Sequence, residues 1–241
     1  MFGLSKIHNR NVPDWPIILA AHTKNAKDQR LKDFYSASIT DKKLPLEKVP
    51  FVALDFETTG LDPQRDDIIS IGLASFDLCS IYCGKALHWL VNPRQPLGEN
   101  SIIFHKITHS DIDKAPDLNN VLEEVLSALA GKMIVVHCSR IERTFLDSAL
   151  KIRLGEGIRF PVIDTMAIEI ATQRRMIGNI WKQLRGKKQL SVRLSDSRER
   201  YGLPAYQSHH ALTDAIATAE LFQAQVAYYY SKRTTLGELW V

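Results

Sequence analysis

The sequence predicts an α/β protein: a mixed five-stranded sheet flanked by helices on both faces, with an N-terminal extension. Three observations predict it. Short apolar runs of strand length follow one another between residues 51 and 91. From residue 117 onward, stretches of helical periodicity alternate with further short apolar runs, the pattern of a sheet layered between helices. The chain has 241 residues, 45% hydrophobic and 24% charged, which suits a buried core and argues against a disordered or fibrous chain.

Residues 1–46 carry scattered Lys and Arg and a modest helical pattern around Leu31, Phe34 and Tyr35, and are read as a partly helical extension. Phe51–Phe56 is a buried strand, ended by the turn chemistry of Thr59–Pro63. Ile68–Phe76 and Ile81–Val91 read as two more strands around a turn at Asp77–Ser80, together a meander. Asp117 opens a helix whose stripe is Leu118, Val121, Leu122, Val125, Leu126 and Leu129, closed by Gly131. Met133–Val136 is the fourth strand, Ile141–Lys151 a helix, Phe160–Ile163 the fifth strand and Ala211–Tyr230 a long helix. The domain is set at 47–232, and 233–241 is read as a C-terminal tail.

Composition narrows the setting. Lys and Arg number 31 against 27 Asp and Glu, a net charge of +4 that permits a polyanionic partner without demanding one. Cys79, Cys83 and Cys138 have no CxxC spacing, so neither a disulfide framework nor a zinc knuckle is expected, and a reducing cytoplasm fits. The longest early apolar run, Ile17–Ala21, is far short of the roughly 20 residues of a membrane span, so no membrane association is expected.

Chemistry enters with Asp55 and Glu57. Residues two apart on a strand share a face, so both carboxylates reach one point while Phe56 faces the other way. Two acids on an apolar strand are costly unless compensated, and a Mg²⁺- or Mn²⁺-like cation would compensate them; a strand end that has simply reached solvent is the plainer alternative. A second cluster, His137–Glu142, follows the fourth strand and sets Glu142 one turn into a helix, over the strand ends where ligands of α/β sheets gather. The third, Ser208–Asp214, opens the last helix. His209 and Asp214 are not on one helical face, so they converge only if His209 belongs to the preceding loop. Each of these clusters, taken alone, also fits caps and solvated helix residues.

Jointly they resemble the DEDDh 3′–5′ exonucleases, the family of the epsilon proofreading subunit of bacterial DNA polymerase III, within the ribonuclease H-like superfamily. Residues 52–61 (VALDFETTGL) are similar to that family's first motif, 136–146 (VHCSRIERTFL) to its second and 209–215 (HHALTDA) to its third. Ile103–Thr108, Ile163–Thr165 and Tyr201–Pro204 agree as secondary features, and the resemblance spans roughly residues 50–227. One position departs: the family's second motif usually has Asp where Glu142 stands.

The resemblance implies release of nucleoside monophosphates from the single-stranded 3′ end of a nucleic acid, expected to be DNA, in replication proofreading or repair, with a DNA polymerase as a candidate partner. It implies two divalent cations, Mg²⁺ or Mn²⁺, held by Asp55, Glu57, Glu142 and Asp214, with His209 as the general base. His210, beside it, is expected to have a structural or surface role. Thr58, Thr59 and Gly60 would approach the 3′-terminal nucleotide, and Leu61 and Phe145 would sandwich its base, with core packing equally open for Phe145. The run Arg174–Lys188 has six basic residues, no acid and an interleaved Trp181, and suits either a backbone-binding surface or a solvated face. A ribonuclease of the same fold and a non-catalytic binding module are the alternatives.

Overall fold

The computed structural model describes residues 13–94, 107–180 and 190–241. Its centre is a five-stranded sheet in the order β3-β2-β1-β4-β5. β1 (Phe51–Thr58) pairs antiparallel with β2 (Ile68–Phe76) and parallel with β4 (Met133–Val136). β3 (Leu87–Leu90) lies antiparallel outside β2, and β5 (Val162–Asp164) parallel outside β4. β1 and β2 are buried along almost their whole length, which is why they read as continuous apolar runs rather than alternating ones.

The helices follow from stripes and caps. α1 is Trp15–Asn25, α2 Gln29–Ala37 and α3 the short His109–Asp113. α4 (Leu118–Leu129) buries all six residues of its predicted stripe, and the Asp117 carboxylate caps it by accepting from the Asn119 N–H. α5 is Ser139–Leu154, α6 Thr165–Ile180 and α7 Leu194–Arg200. α8 (Ala211–Tyr229) packs across β1 and β2. Gly72 permits that approach: a Cβ there would lie 2.2–2.3 Å from the Ala211 carbonyl and the Leu212 nitrogen. Gly72 is the cross-strand partner of Asp55, so this contact brings the first turn of α8 over the acid on β1.

Several sequence expectations shift. The Ile81–Val91 run is a strand only over Leu87–Leu90; Ile81 makes an isolated bridge to Phe76, and a 3₁₀ turn occupies Cys83–Lys85. The fifth strand lies at Val162–Asp164, where the chain meets the ladder of β4. α1, α3, α6 and α7 have no counterpart among the individual helices expected from the sequence.

The terminal segments are woven into the domain. Trp15, Leu19, Leu31, Phe34 and Tyr35 are buried in the same core cluster as the strands. Residues 233–241, read as a tail, bury Leu236, Leu239 and Trp240, bridge Thr235 to Pro45 and pair Val241 with Val162 in both directions. Bulky apolar side chains and backbone pairing leave little of that stretch free. Among the described residues no helix is long and apolar enough to cross a membrane.

Candidate active site

Asp55 and Glu57 stand near the C-terminal end of β1, and buried Phe56 points to the opposite face, as the strand period requires. Asp214 sits in the first turn of α8. One carboxylate oxygen from each of Asp55, Glu57 and Asp214 lies within 4.8 Å of the others, so elements more than 150 residues apart deliver three acids to one point.

The electrostatics of this cluster are adverse without counter-charge. Burial pushes the Asp55 carboxyl well above the usual carboxylate range, and the neighbouring charges of Asp214, Glu142 and Glu57 push it further. Asp214 is raised by burial and by Glu57, against the lowering contacts of the Tyr206 hydroxyl and the backbone N–H groups of His209 and His210. Glu142, in the first turn of α5, lies outside the close triad but near enough to act on Asp55. It is 2% exposed, burial and then Asp164 raise its carboxyl well above the usual range, and its Oε2 has no hydrogen-bond partner among the described residues. Converging buried carboxylates with an orphaned oxygen fit hard divalent cations, which prefer oxygen donors.

The mounting is local. Asp164, at the end of β5, accepts from the N–H groups of Cys138 (3.2 Å) and Ser139 (2.8 Å) at the start of α5, and of Met166 (2.9 Å) and Ala167 (3.2 Å) at the start of α6. Cys138, at φ 94°, turns the chain from β4 into α5 so that Glu142 faces the sheet. His209 has φ 69° and its N–H donates to Asp214 Oδ2 at 2.8 Å. It does belong to the loop, which is how residues five apart converge. His210 instead caps α8: its Nδ1 accepts from the Thr213 N–H at 3.5 Å, and its ring lies 4.7 Å from that of His88. The exposed His209 side chain borders a cavity of about 320 Å³ also lined by Ser70, His88, Leu90 and Thr213.

The expected substrate residues separate. The Thr58 hydroxyl donates to the Gly60 carbonyl at 2.6 Å, the Thr59 hydroxyl to Asp66, and Leu61 is 78% exposed. Phe145 corrects the base sandwich: it is 2% exposed and belongs to the core, on the inward stripe of α5 with Glu142, Leu146 and Ala149. Arg174 is exposed; the side chains of the basic run from Arg175 to Lys188, and the 103–106 part of the secondary motif, lie outside the described residues. Sequence reasoning passed over Tyr206, whose hydroxyl meets Asp214 and whose ring lies 4.8 Å under the Arg198 guanidinium. Tyr206 has no motif of its own. Only its nearness to His209 in the chain hinted at it.

A family model described as exonuclease matches residues 52–222. The chain is 34% identical over 176 residues to a DNA polymerase III PolC-type protein of Thermotoga petrophila, covering 73% of this chain and 12% of that protein's length. It is 26% identical over 183 residues to a DNA polymerase III subunit epsilon of Treponema pallidum, covering 76% of this chain and 79% of the relative. Among solved structures it is similar in fold to cell-death related nuclease 4, with a TM-score of 0.61 and 19% identity over 76% of this chain and 64% of that one. It is likewise similar to the nuclease domain of 3'hExo, a DEDDh family member, with a TM-score of 0.57 and 18% identity over 74% and 92%.

Proposed function

The chain belongs to this exonuclease family, and from that premise we propose that it is a metal-dependent 3′–5′ exonuclease that releases nucleoside monophosphates from single-stranded 3′ ends of DNA. The observation that carries the reading is the convergence of Asp55, Glu57 and Asp214, with the His209 backbone bonded to the third of them. Asp55, Glu57 and Asp214, together with Glu142, would hold two divalent cations, Mg²⁺ or Mn²⁺. When bound, such cations supply positive charge to the attacking and leaving oxygens of an in-line displacement.

The chain's own residues do the rest. His209 takes the proton from the attacking water, and its left-handed backbone places it in the loop ahead of α8, bonded to the acid cluster through Asp214. Asp214 orients it through the N–H bond at 2.8 Å. Thr58, Thr59 and Gly60 shape the turn that approaches the terminal nucleotide, and exposed Leu61 offers an apolar face to its base. The names of the sequence relatives, both DNA polymerase III proteins, favour DNA over RNA and a DNA polymerase as the partner.

Timed digestion of end-labelled, sequence-matched DNA and RNA oligonucleotides with Mg²⁺, Mn²⁺ or chelator tests the reading. Mononucleotides released from the 3′ end of DNA, and lost with chelator, are expected. Faster loss of RNA would reassign the substrate, and tight binding without cleavage under any cation would make the chain a binding module.

A further inference from the structure

The turn between β1 and β2 takes its shape from a side chain outside the residues assigned above. Asp66 uses both carboxylate oxygens on that turn: Oδ1 accepts from the Thr59 hydroxyl at 3.1 Å and Oδ2 from the Asp62 N–H at 2.8 Å. The Thr59 hydroxyl oxygen accepts in turn from the Asp67 N–H at 3.0 Å, and the Thr59 N–H donates to the Asp67 carbonyl at 2.9 Å. Asp67 is itself fixed by Arg94, whose guanidinium reaches its Oδ1 at 2.8 Å and whose N–H donates to its Oδ2 at 2.9 Å. The turn therefore closes on a carboxylate, not on apolar packing.

Gly60 lies directly on that carboxylate. A Cβ at Gly60 would stand 2.4 Å from Asp66 Oδ2 and 2.6 Å from its Cγ and Oδ1. Its φ is not positive, so no left-handed backbone calls for glycine there, and the nearest obstacle to a side chain is this carboxylate. With Asp66 in place, the N–H groups of Gly60 and Leu61 carry no intramolecular partner among the described residues and remain available to a ligand.

We propose that Asp66 is a positioning residue for substrate, holding residues 58–62 in the form that receives the 3′-terminal nucleotide. It acts through Thr59, Asp62 and Gly60 and touches neither the cations nor the scissile bond. The inference rests on the exonuclease reading and names the group that shapes its nucleotide subsite. A carboxylate suits the task because two donors converge on it, and an amide accepts at only one of its two positions.

The test measures DNA affinity by fluorescence anisotropy in Ca²⁺, steady-state kcat and KM in Mg²⁺, and Mn²⁺ affinity, for the full chain and its variants. Asp66→Ala should weaken oligonucleotide binding and raise KM by about tenfold, what two loop hydrogen bonds of ordinary strength are together worth. kcat and Mn²⁺ affinity should stay near the parent values, and Asp66→Asn should recover part of the binding. Gly60→Ala should reproduce the loss by displacing Asp66, and the double variant Gly60→Ala/Asp66→Ala should be no worse than Asp66→Ala alone. Unchanged affinity in Asp66→Ala, additive losses in the double variant, or a joint fall of kcat, Mn²⁺ affinity and melting temperature would each overturn the proposal. The anisotropy arm needs no turnover, so a parent protein that binds DNA without degrading it would sink the exonuclease reading while still deciding the role of Asp66.

Discussion

The end of the sheet that holds Asp55, Glu57, Glu142 and Asp214 and the seam where α1 and residues 42–46 meet residues 234–241 are built on opposing principles. At the seam the large side chains are packed and hydrogen-bonded. Trp15 is 2% exposed, its Nε1 donates to the Val241 carbonyl at 3.0 Å, and the Arg143 guanidinium stacks 5.0 Å over its ring while also donating to the Phe160 carbonyl. At the acid cluster like charges are gathered, Glu142 Oε2 has no hydrogen-bond partner among the described residues, and the two positive-φ residues other than glycine among them, Cys138 and His209, lead into the helices that bear Glu142 and Asp214. Strain and repulsion concentrated at one end, with ample packing at the other, mark the first as a place shaped for chemistry and the second as its support.

The contrast can be broken most sharply at Asp55. Asp55→Asn should lower exonuclease turnover by several orders of magnitude while circular dichroism and melting show an intact fold; turnover near the parent rate in a folded variant would remove the site assignment. Next in size, His209→Ala should cost roughly 10²–10⁴ in kcat, the span of a general base, while His210→Ala leaves most activity. Reversed effects of the two variants would move the base by one residue.

At the seam the expected loss is of stability. Trp15→Ala should cost about 3–5 kcal/mol in urea unfolding, as other buried aromatic truncations do, with activity per folded molecule retained. A variant of parental stability would show that the terminal segments are dispensable cladding.

A subtler comparison is pH. Asp55, Glu142 and Asp214 are all raised in the folded protein, so the metal-free folded state binds protons more tightly than the unfolded one. The stability tied to these groups is full below about pH 4, the unfolded carboxylate value, and is lost as pH rises through the raised folded values. Asp55→Asn should therefore melt above the parent at neutral pH without metal, by about 2–4 °C for each kcal/mol of repulsion relieved, and the gain should vanish toward pH 4. Millimolar Mg²⁺ should reverse the order. Equal melting curves across the range would mean that the acids do not repel.

The smallest effect is expected at Glu142. Shortening it by one methylene in Glu142→Asp should withdraw the carboxylate from its place beside Asp55 and lower Mg²⁺-supported rates by about tenfold, with Mn²⁺ restoring more than Mg²⁺, the ion stricter about octahedral geometry. Undiminished activity with Mg²⁺ would show that the longer side chain is incidental.

How much of this was legible in the sequence depended on range. The Asp55–Glu57 pair and the α4 stripe are local patterns, written in strand and helix periods, and the structure keeps both. α1 and α6 went unseen because their apolar residues spread round the helix and form no narrow stripe. The facing of Phe145 could not be read, since its inward turn depends on where α5 lands. Nothing in the residues near Gly72 announces that α8 will rest on it, and that contact spans some 140 positions. Residues 233–241 look like a tail by length and are an edge by pairing.

Asp214 Oδ2 accepts from both the His209 and His210 N–H groups, at 2.8 and 3.2 Å. One oxygen thus serves as a hinge pin for the turn bearing the imidazole as well as a member of the acid cluster. The choice of an inactive variant for trapping an enzyme bound to an uncut strand follows directly. Changing Asp214 would release the turn and blur the complex, whereas Asp55→Asn silences cleavage and leaves the pin in its socket.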